Sequence, residues 1–219
     1  MFIEKVEGKE QLIRLVQYFA FAVHAALKNT RFVNFAQKAQ KLSGNLSITR
    51  KVLRFGMPFA VVLNVFHRFS SKRDKVLKLF GDFFSLVFYL TDHLLYFYRI
   101  RLITLGKGSK RMQHVDILRN FAWVAFLVVK IVDSTMEIHK VQSKIQKLSA
   151  ASSFSYRNIE ANMFFTDLLK QSDGLMLGII RNCLDIPVAL YFLDSIKIHP
   201  VLVGILGTLS SLVQIYKEY

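Results

Sequence analysis

Residues 200–216 (PVLVGILGTLSSLVQIY) carry no charged side chain, in a chain whose formal net charge is +15. A helix needs roughly 17–25 predominantly apolar residues to cross a bilayer, and this run sits at the short end of that range. Gly204 and Thr208 are four residues apart, as are Gly207 and Ser211. That spacing puts small side chains on one helix face, where another backbone can approach closely. A helix this apolar on every side must be buried, in lipid or in a protein core. The membrane reading is taken here; a core helix of a soluble bundle is the alternative.

Charge patterning supports that choice. Residues 1–78 carry a net +11, whereas residues 174–219 are net neutral. A basic flank stays on the cytosolic side of a membrane. Basic residues near an anionic surface each gain about 1 kcal/mol. The opening MFIEKVEGKEQL mixes charges and has no apolar run, so neither a secretory signal nor a presequence is expected. A single cysteine, Cys183, excludes an intrachain disulfide and a CxxC metal site.

The chain reads as all-α: helical periodicity recurs and no segment alternates with period two. The expected helices begin with 9–28, whose apolar stripe is Leu12, Val16, Phe19, Val23 and Ala26. A second covers 31–42 and stops at Ser43-Gly44-Asn45. A third covers 47–69, with Ile48, Val52, Phe55, Phe59, Val62, Phe66 and Phe69 recurring at steps of four and three. Arg50, Lys51, Arg54, Asn64 and Arg68 lie on or near its other side. Such a basic, Phe-rich amphipathic helix can lie in the interface, its apolar face ~5–10 Å deep. Pro58 should kink it, because proline clashes with the carbonyl four residues back, that of Arg54. An ordinary bundle helix has the same pattern. Residues 76–98 form a mostly apolar helix holding Asp92 and His93. Another runs from 119 into a charged tail ending near 147, and 149–157 is the best linker. Asp173-Gly174 should break the chain before an apolar segment at 175–196. That segment and 200–216 should form a membrane-embedded helical hairpin. Two spans are expected, with 76–98 as the alternative partner of the last. The expected division is a basic, cytosol-facing amphipathic region at 1–74 and a membrane-associated region at 75–219.

Arg181 and Asp185 are four apart and share a helix face. Ionisable residues in an apolar segment are costly unless paired, and mark packing or transport sites. Asp92 and His93 pose the same choice between helix packing and a pore. Pro187 should kink the helix near Cys183. No enzyme is expected. The six histidines make no metal-ligand spacing, LGKGSKRM completes no phosphate-binding loop, and no GxSxG elbow occurs. No cofactor or metal is therefore expected. Nucleic-acid binding is disfavoured despite the basic charge, because the Phe residues lie at core-like helical spacing rather than on a polar face.

Four segments in order resemble the peroxin-11 family of membrane proteins that elongate and divide peroxisomes and glycosomes. GKEQLIRLVQYFA (8–20) resembles its first helix. LSITRKVLRFGMPF (46–59) resembles its amphipathic signature, through Thr49, Arg50, Lys51, Arg54 and Gly56. LTDHLLYFYRI (90–100) resembles its Asp-His segment. IIRNCLDIPVAL (179–190) and GILGTLSSLVQIY (204–216) resemble its Arg-Asn-x-x-Asp-x-Pro motif and Gly-rich tail. Residues 105–160 match no motif. The resemblance implies a multi-pass peroxisomal or glycosomal membrane protein with both termini cytosolic. It also implies self-association, a cytosolic import receptor and a third helix inserted in one leaflet.

The function expected is membrane elongation before fission, controlling organelle number. Arg50, Lys51, Arg54 and Arg68 would meet anionic phospholipid, and Val52, Phe55, Phe59, Val62 and Phe66 would wedge into the leaflet. Fission factors would then act on the tubule. Two alternatives are a metabolite channel lined by Asp92, His93, Arg181 and Asp185, and an adaptor that recruits division machinery.

Overall fold

In the computed structural model, residues 2–69, 75–103, 110–151 and 159–218 are described, and their regular structure is entirely α-helical. The helices are α1 (Phe2–Leu27), α2 (Val33–Leu53), α3 (Met57–Phe69), α4 (Lys75–Arg99), α5 (Lys110–Ala151), α6 (Ile159–Phe192) and α7 (Pro200–Glu218).

Several expected boundaries move. α2 continues through Ser43-Gly44-Asn45, with Ser43 buried and the Arg99 guanidinium packed beside Gly44, 3.7 Å from where a Cβ would be. That packing outweighs the helix penalty of glycine, about 1 kcal/mol. The single helix expected over 47–69 is two helices. The chain breaks at residues 54–56, and the Arg54 carbonyl accepts from the Met57 amide at 2.9 Å. Pro58 cannot donate to that carbonyl, so a break replaces the expected kink. Pro58 then sits in the first turn of α3, where a missing N–H costs nothing. Helix α6 runs through Asp173-Gly174 without a break. The linker expected at 149–157 lies largely outside the described residues.

Two helix ends close with a non-glycine residue in the left-handed region: Arg101 (φ 63°) after α4 and Asp194 (φ 58°) after α6. In both, the next amide reaches back to a carbonyl five residues earlier, Leu102 to Phe97 and Ser195 to Leu190. These bonds satisfy carbonyls that the helix end would orphan.

Six helices close into a ring in the order α1, α7, α6, α5, α4, α2, with α2 returning to α1. Among the described residues no two backbones approach across the ring, although the Arg14–Asp185 ion pair and the Phe21–Phe192 rings join α1 to α6 by side chains; α2–α4 is the thinnest seam. α3 lies outside the ring on α4. α1 packs along α7, so residues from both sides of position 74 share one ring.

The α1–α7 contact is close at two glycines. A Cβ at Gly204 would lie 2.5 Å from the Ala22 Cβ and 2.7 Å from the Ala22 nitrogen; one at Gly207 would lie 2.4 Å from the Tyr18 ring. Pairing 204 with 22 and 207 with 18 makes α1 and α7 antiparallel. The small-residue stripe read from the sequence therefore receives α1 of the same chain. Thr208 and Ser211 return their hydroxyls to the carbonyls of Gly204 and Gly207, at 2.7 and 2.8 Å, whereas the buried Ser210 hydroxyl beside them has no hydrogen-bond partner.

The burial pattern is inverted. Among the described residues 16 polar or charged residues are buried against 13 hydrophobic ones. Outward lie Leu12, Val16 and Phe19 of α1, Phe80 and Phe83 of α4, Phe121 and Val128 of α5, and Leu202, Ile205 and Leu209 of α7. Water-soluble domains bury the apolar class, so this surface fits lipid. Met163–Phe192 and Pro200–Glu218 are long and apolar enough to cross a membrane, and only 22% and 28% of their apolar windows is buried inside the molecule. Core helices of a soluble bundle would be mostly covered.

Gly204→Val should push α1 off α7. Overpacking of this kind costs about 1–3 kcal/mol or more, so a fall of roughly 5 °C in the Tm of detergent-purified protein is expected. Ile205→Val, on the exposed side of the same helix, should leave Tm unchanged.

Candidate functional site

The ring encloses a polar cavity of about 670 Å³. Its walls carry three buried carboxylates, each from a different helix and each shared by cations from others.

Glu10 of α1 accepts from Arg50 Nε at 2.7 Å and from Arg54 Nη2 at 2.6 Å. Arg50 also donates to Gln17 at 2.8 Å. Asp92 of α4 pairs with Lys51, with Arg54 at 3.5 Å and with Arg119 of α5 at 3.7 Å. Asp185 of α6, 1% exposed, pairs with Arg14 of α1 and lies 4.0 Å from Arg181. Arg181 donates in turn to Gln214 of α7 at 2.9 Å. Asn120 of α5 ties the wall to the Phe192 carbonyl at 2.9 Å. Six cations thus serve three carboxylates. A buried charge is tolerated only when paired and hydrogen-bonded, which explains why these groups gather where the helices leave a gap.

Local sequence places them. Glu10, Arg14 and Gln17 fall on one face of α1 at steps of four and three, opposite Leu12, Val16 and Phe19. Arg50, Lys51 and Arg54 occupy the last turn of α2 and the break after it. Farther along α5, Glu137 bonds Lys78 at 3.2 Å and Lys140 at 3.5 Å. Slight burial alone would raise that carboxyl, but the two lysines hold it below the usual carboxylate range.

The residues singled out from the sequence divide between interior and surface. Arg50, Lys51 and Arg54 turn inward into ion pairs, so they do not present the headgroup-facing stripe expected of them; a charge beside Glu10 or Asp92 gains more there than on the surface. Arg68 has no described side chain. Val52 and Phe55 are about half exposed, and the Phe55 ring stands edge-on to His93 at 4.8 Å and to Phe97 at 5.7 Å. Phe59, Val62 and Phe66 face outward on α3. Asp92, Arg181 and Asp185 line the cavity, while His93 packs beside it under Phe55. Sequence reasoning missed Glu10, Arg14 and Arg119. The first two stood in the polar stripe of the first helix. Periodicity separates two faces of a helix without saying which is inside.

Residues from each of the four family-like segments meet at this cavity. A family model described as peroxisomal biogenesis factor 11 (PEX11) matches residues 1–219, the whole chain. The chain belongs to this family. It is accordingly a peroxisomal membrane protein with a role in peroxisome proliferation and elongation, from a family of biogenesis factors rather than enzymes. No curated protein and no solved structure matches the chain. Among the described residues no group of three or more His, Cys, Asp or Glu side chains could hold a metal ion.

Arg14→Leu leaves Asp185 buried with only the distant Arg181. Breaking one partner of a buried pair costs about 3–5 kcal/mol. The double change Arg14→Leu, Asp185→Leu should recover much of that loss, and a double-mutant cycle on Tm reads the difference.

Proposed function

We propose that this PEX11-family member elongates the peroxisomal membrane by wedging α3 into the cytosolic leaflet. The observation that carries the reading is the outward face of α3. Phe59, Leu63 and Phe66 are 71%, 69% and 70% exposed, on a helix outside the ring. Burying such a side chain gains roughly 1.5–3 kcal/mol, so three of them hold a helix in the interface. An area added to one leaflet alone bends the sheet. The helix is shorter than the one read from the sequence, starting at Met57 rather than near Ser47.

Anionic phospholipid attraction then falls to Arg68 and to Lys72, Arg73 and Lys75, which follow in sequence, rather than to Arg50, Lys51 and Arg54. The protein is anchored by the α6–α7 hairpin, with the ring at bilayer depth and both termini cytosolic. Self-association through the exposed apolar faces concentrates the wedges, a cytosolic import receptor delivers the chain, and fission factors act on the tubule.

Phe59→Glu with Phe66→Glu should abolish tubulation of anionic liposomes while the protein stays resistant to carbonate extraction. Equal tubulation by the variant would exclude the wedge. These positions are cleaner than Phe55, whose loss also strips His93 and Phe97 of a partner.

A second reading, a solute path, is favoured by the closed ring and its polar interior. It predicts that small-metabolite flux in reconstituted vesicles falls at least tenfold in Arg181→Leu. Vesicles that tubulate without flux would exclude it.

A further inference from the structure

We propose that the polar interior of the helix ring is a binding site for a phosphate-bearing anion. The proposal does not rest on the wedge, since α3 lies outside the ring.

The interior has more positive charge than its own carboxylates can neutralise. Arg14, Arg50, Lys51, Arg54, Arg119 and Arg181 share Glu10, Asp92 and Asp185. Arg119 has one further partner, Asp116, at 2.8 Å on the rim of the fold. Three more cavity-lining cations, Arg99, Lys130 and Lys217, have no carboxylate within ion-pair distance among the described residues. Counting every lining side chain gives nine basic against five acidic.

Unused donors point the same way. Arg14 is 3% exposed, yet its Nε bonds nothing, and the buried Nε of Arg181 also lacks a hydrogen-bond partner. Such donors are normally satisfied by protein or by a bound group. Both guanidiniums border the same carboxylate, Asp185, the Arg181 Nε lying 4.0 Å from its Oδ2, so two cations crowd one acceptor at the cavity wall.

The chemistry of the occupant follows from charge and geometry. A guanidinium offers a planar fork that fits two oxygens of a phosphate or carboxylate. A monocarboxylate brings a single negative charge, against an excess of about three cations in the inner set. A phosphomonoester or diphosphate brings two or more charges and enough acceptor oxygens for several forks. The volume admits such a group together with what it is attached to. That attachment has two sources, a soluble phosphate compound or the headgroup of a phosphorylated lipid reaching in from the leaflet.

The test uses full-length protein in phosphatidylcholine nanodiscs. One arm adds pyrophosphate against sodium chloride at equal ionic strength. The other replaces part of the lipid with phosphatidylinositol 4-phosphate and adds no soluble phosphate. Near saturation a rise in Tm of about 5 °C or more is expected in at least one arm. A rise with pyrophosphate identifies a free phosphate site, and a rise with the lipid alone identifies a headgroup site. Arg181→Gln with Lys130→Gln should erase the shift, while Lys38→Gln with Lys41→Gln, on the exposed side of α2, should keep it. Should the first pair fold poorly, Lys130→Gln alone, whose amine has no acidic partner to strand, carries the comparison. No shift in either arm overturns the proposal. So does a shift that survives loss of the interior cations, or one that disappears with the surface lysines.

Discussion

Buried charge is the constraint around which this molecule is organised. Each inner carboxylate binds helices that are far apart in sequence: Glu10 joins α1 to α2, Asp92 joins α4 to α2 and α5, and Asp185 joins α6 to α1. In a lipid setting apolar surface gains little by meeting apolar surface, because acyl chains are as apolar as leucine. Polar groups have nowhere else to go. The helices therefore close around their charged faces, and the apolar faces are left outward.

The α1–α7 seam closes by intimate contact at two glycines. Gly204 and Gly207 admit Ala22 and Tyr18 at distances no side chain could share. Opposite in character is the α2–α4 seam, where the backbones barely meet and Lys51, Arg54 and Asp92 bridge the gap. Close packing is stiff, since it has no alternative arrangement of similar energy. Long charged side chains over a gap can exchange partners. If the ring opens, it opens between α2 and α4.

Much of this was legible in the sequence. Helical periodicity gave the all-α class, and the charge-free tail with its small-residue stripe gave the apolar C-terminal helices and the close contact at Gly204 and Gly207. The polar stripe of α1 was visible too, but its direction was not: amphipathicity is symmetric between a protein core in water and a polar core in lipid. The same ambiguity turned Arg50, Lys51 and Arg54 outward in the reading of 47–69. Only the positions of Glu10 and Asp92, 40 residues away on either side, decide the matter, and no local pattern encodes them. The break at 54–56 was half legible. Pro58 and Gly56 marked the place, but the choice between kink and break depends on Arg54 being held by two carboxylates.

Arg54 links the interior to the surface. It sits at the break between α2 and α3 and reaches Glu10 and Asp92 together, and its guanidinium lies 5.5 Å from the centre of the Phe88 ring. The next residue, Phe55, stands edge-on to His93 and Phe97 of α4. The first turn of α3 follows at once. A helix joined by a free hinge would tilt with the leaflet and transmit no bend. Here the joint is fixed on one side by a buried ion cluster and on the other by aromatic edges, so the angle of α3 is set by the ring. Under the proposal that α3 is a wedge, the stretch Thr-Arg-Lys-x-x-Arg-x-Gly is its mount rather than the wedge itself. Any change in the charge state of the cavity, including an anion that draws Arg54 away from Asp92, would reach α3 through that joint.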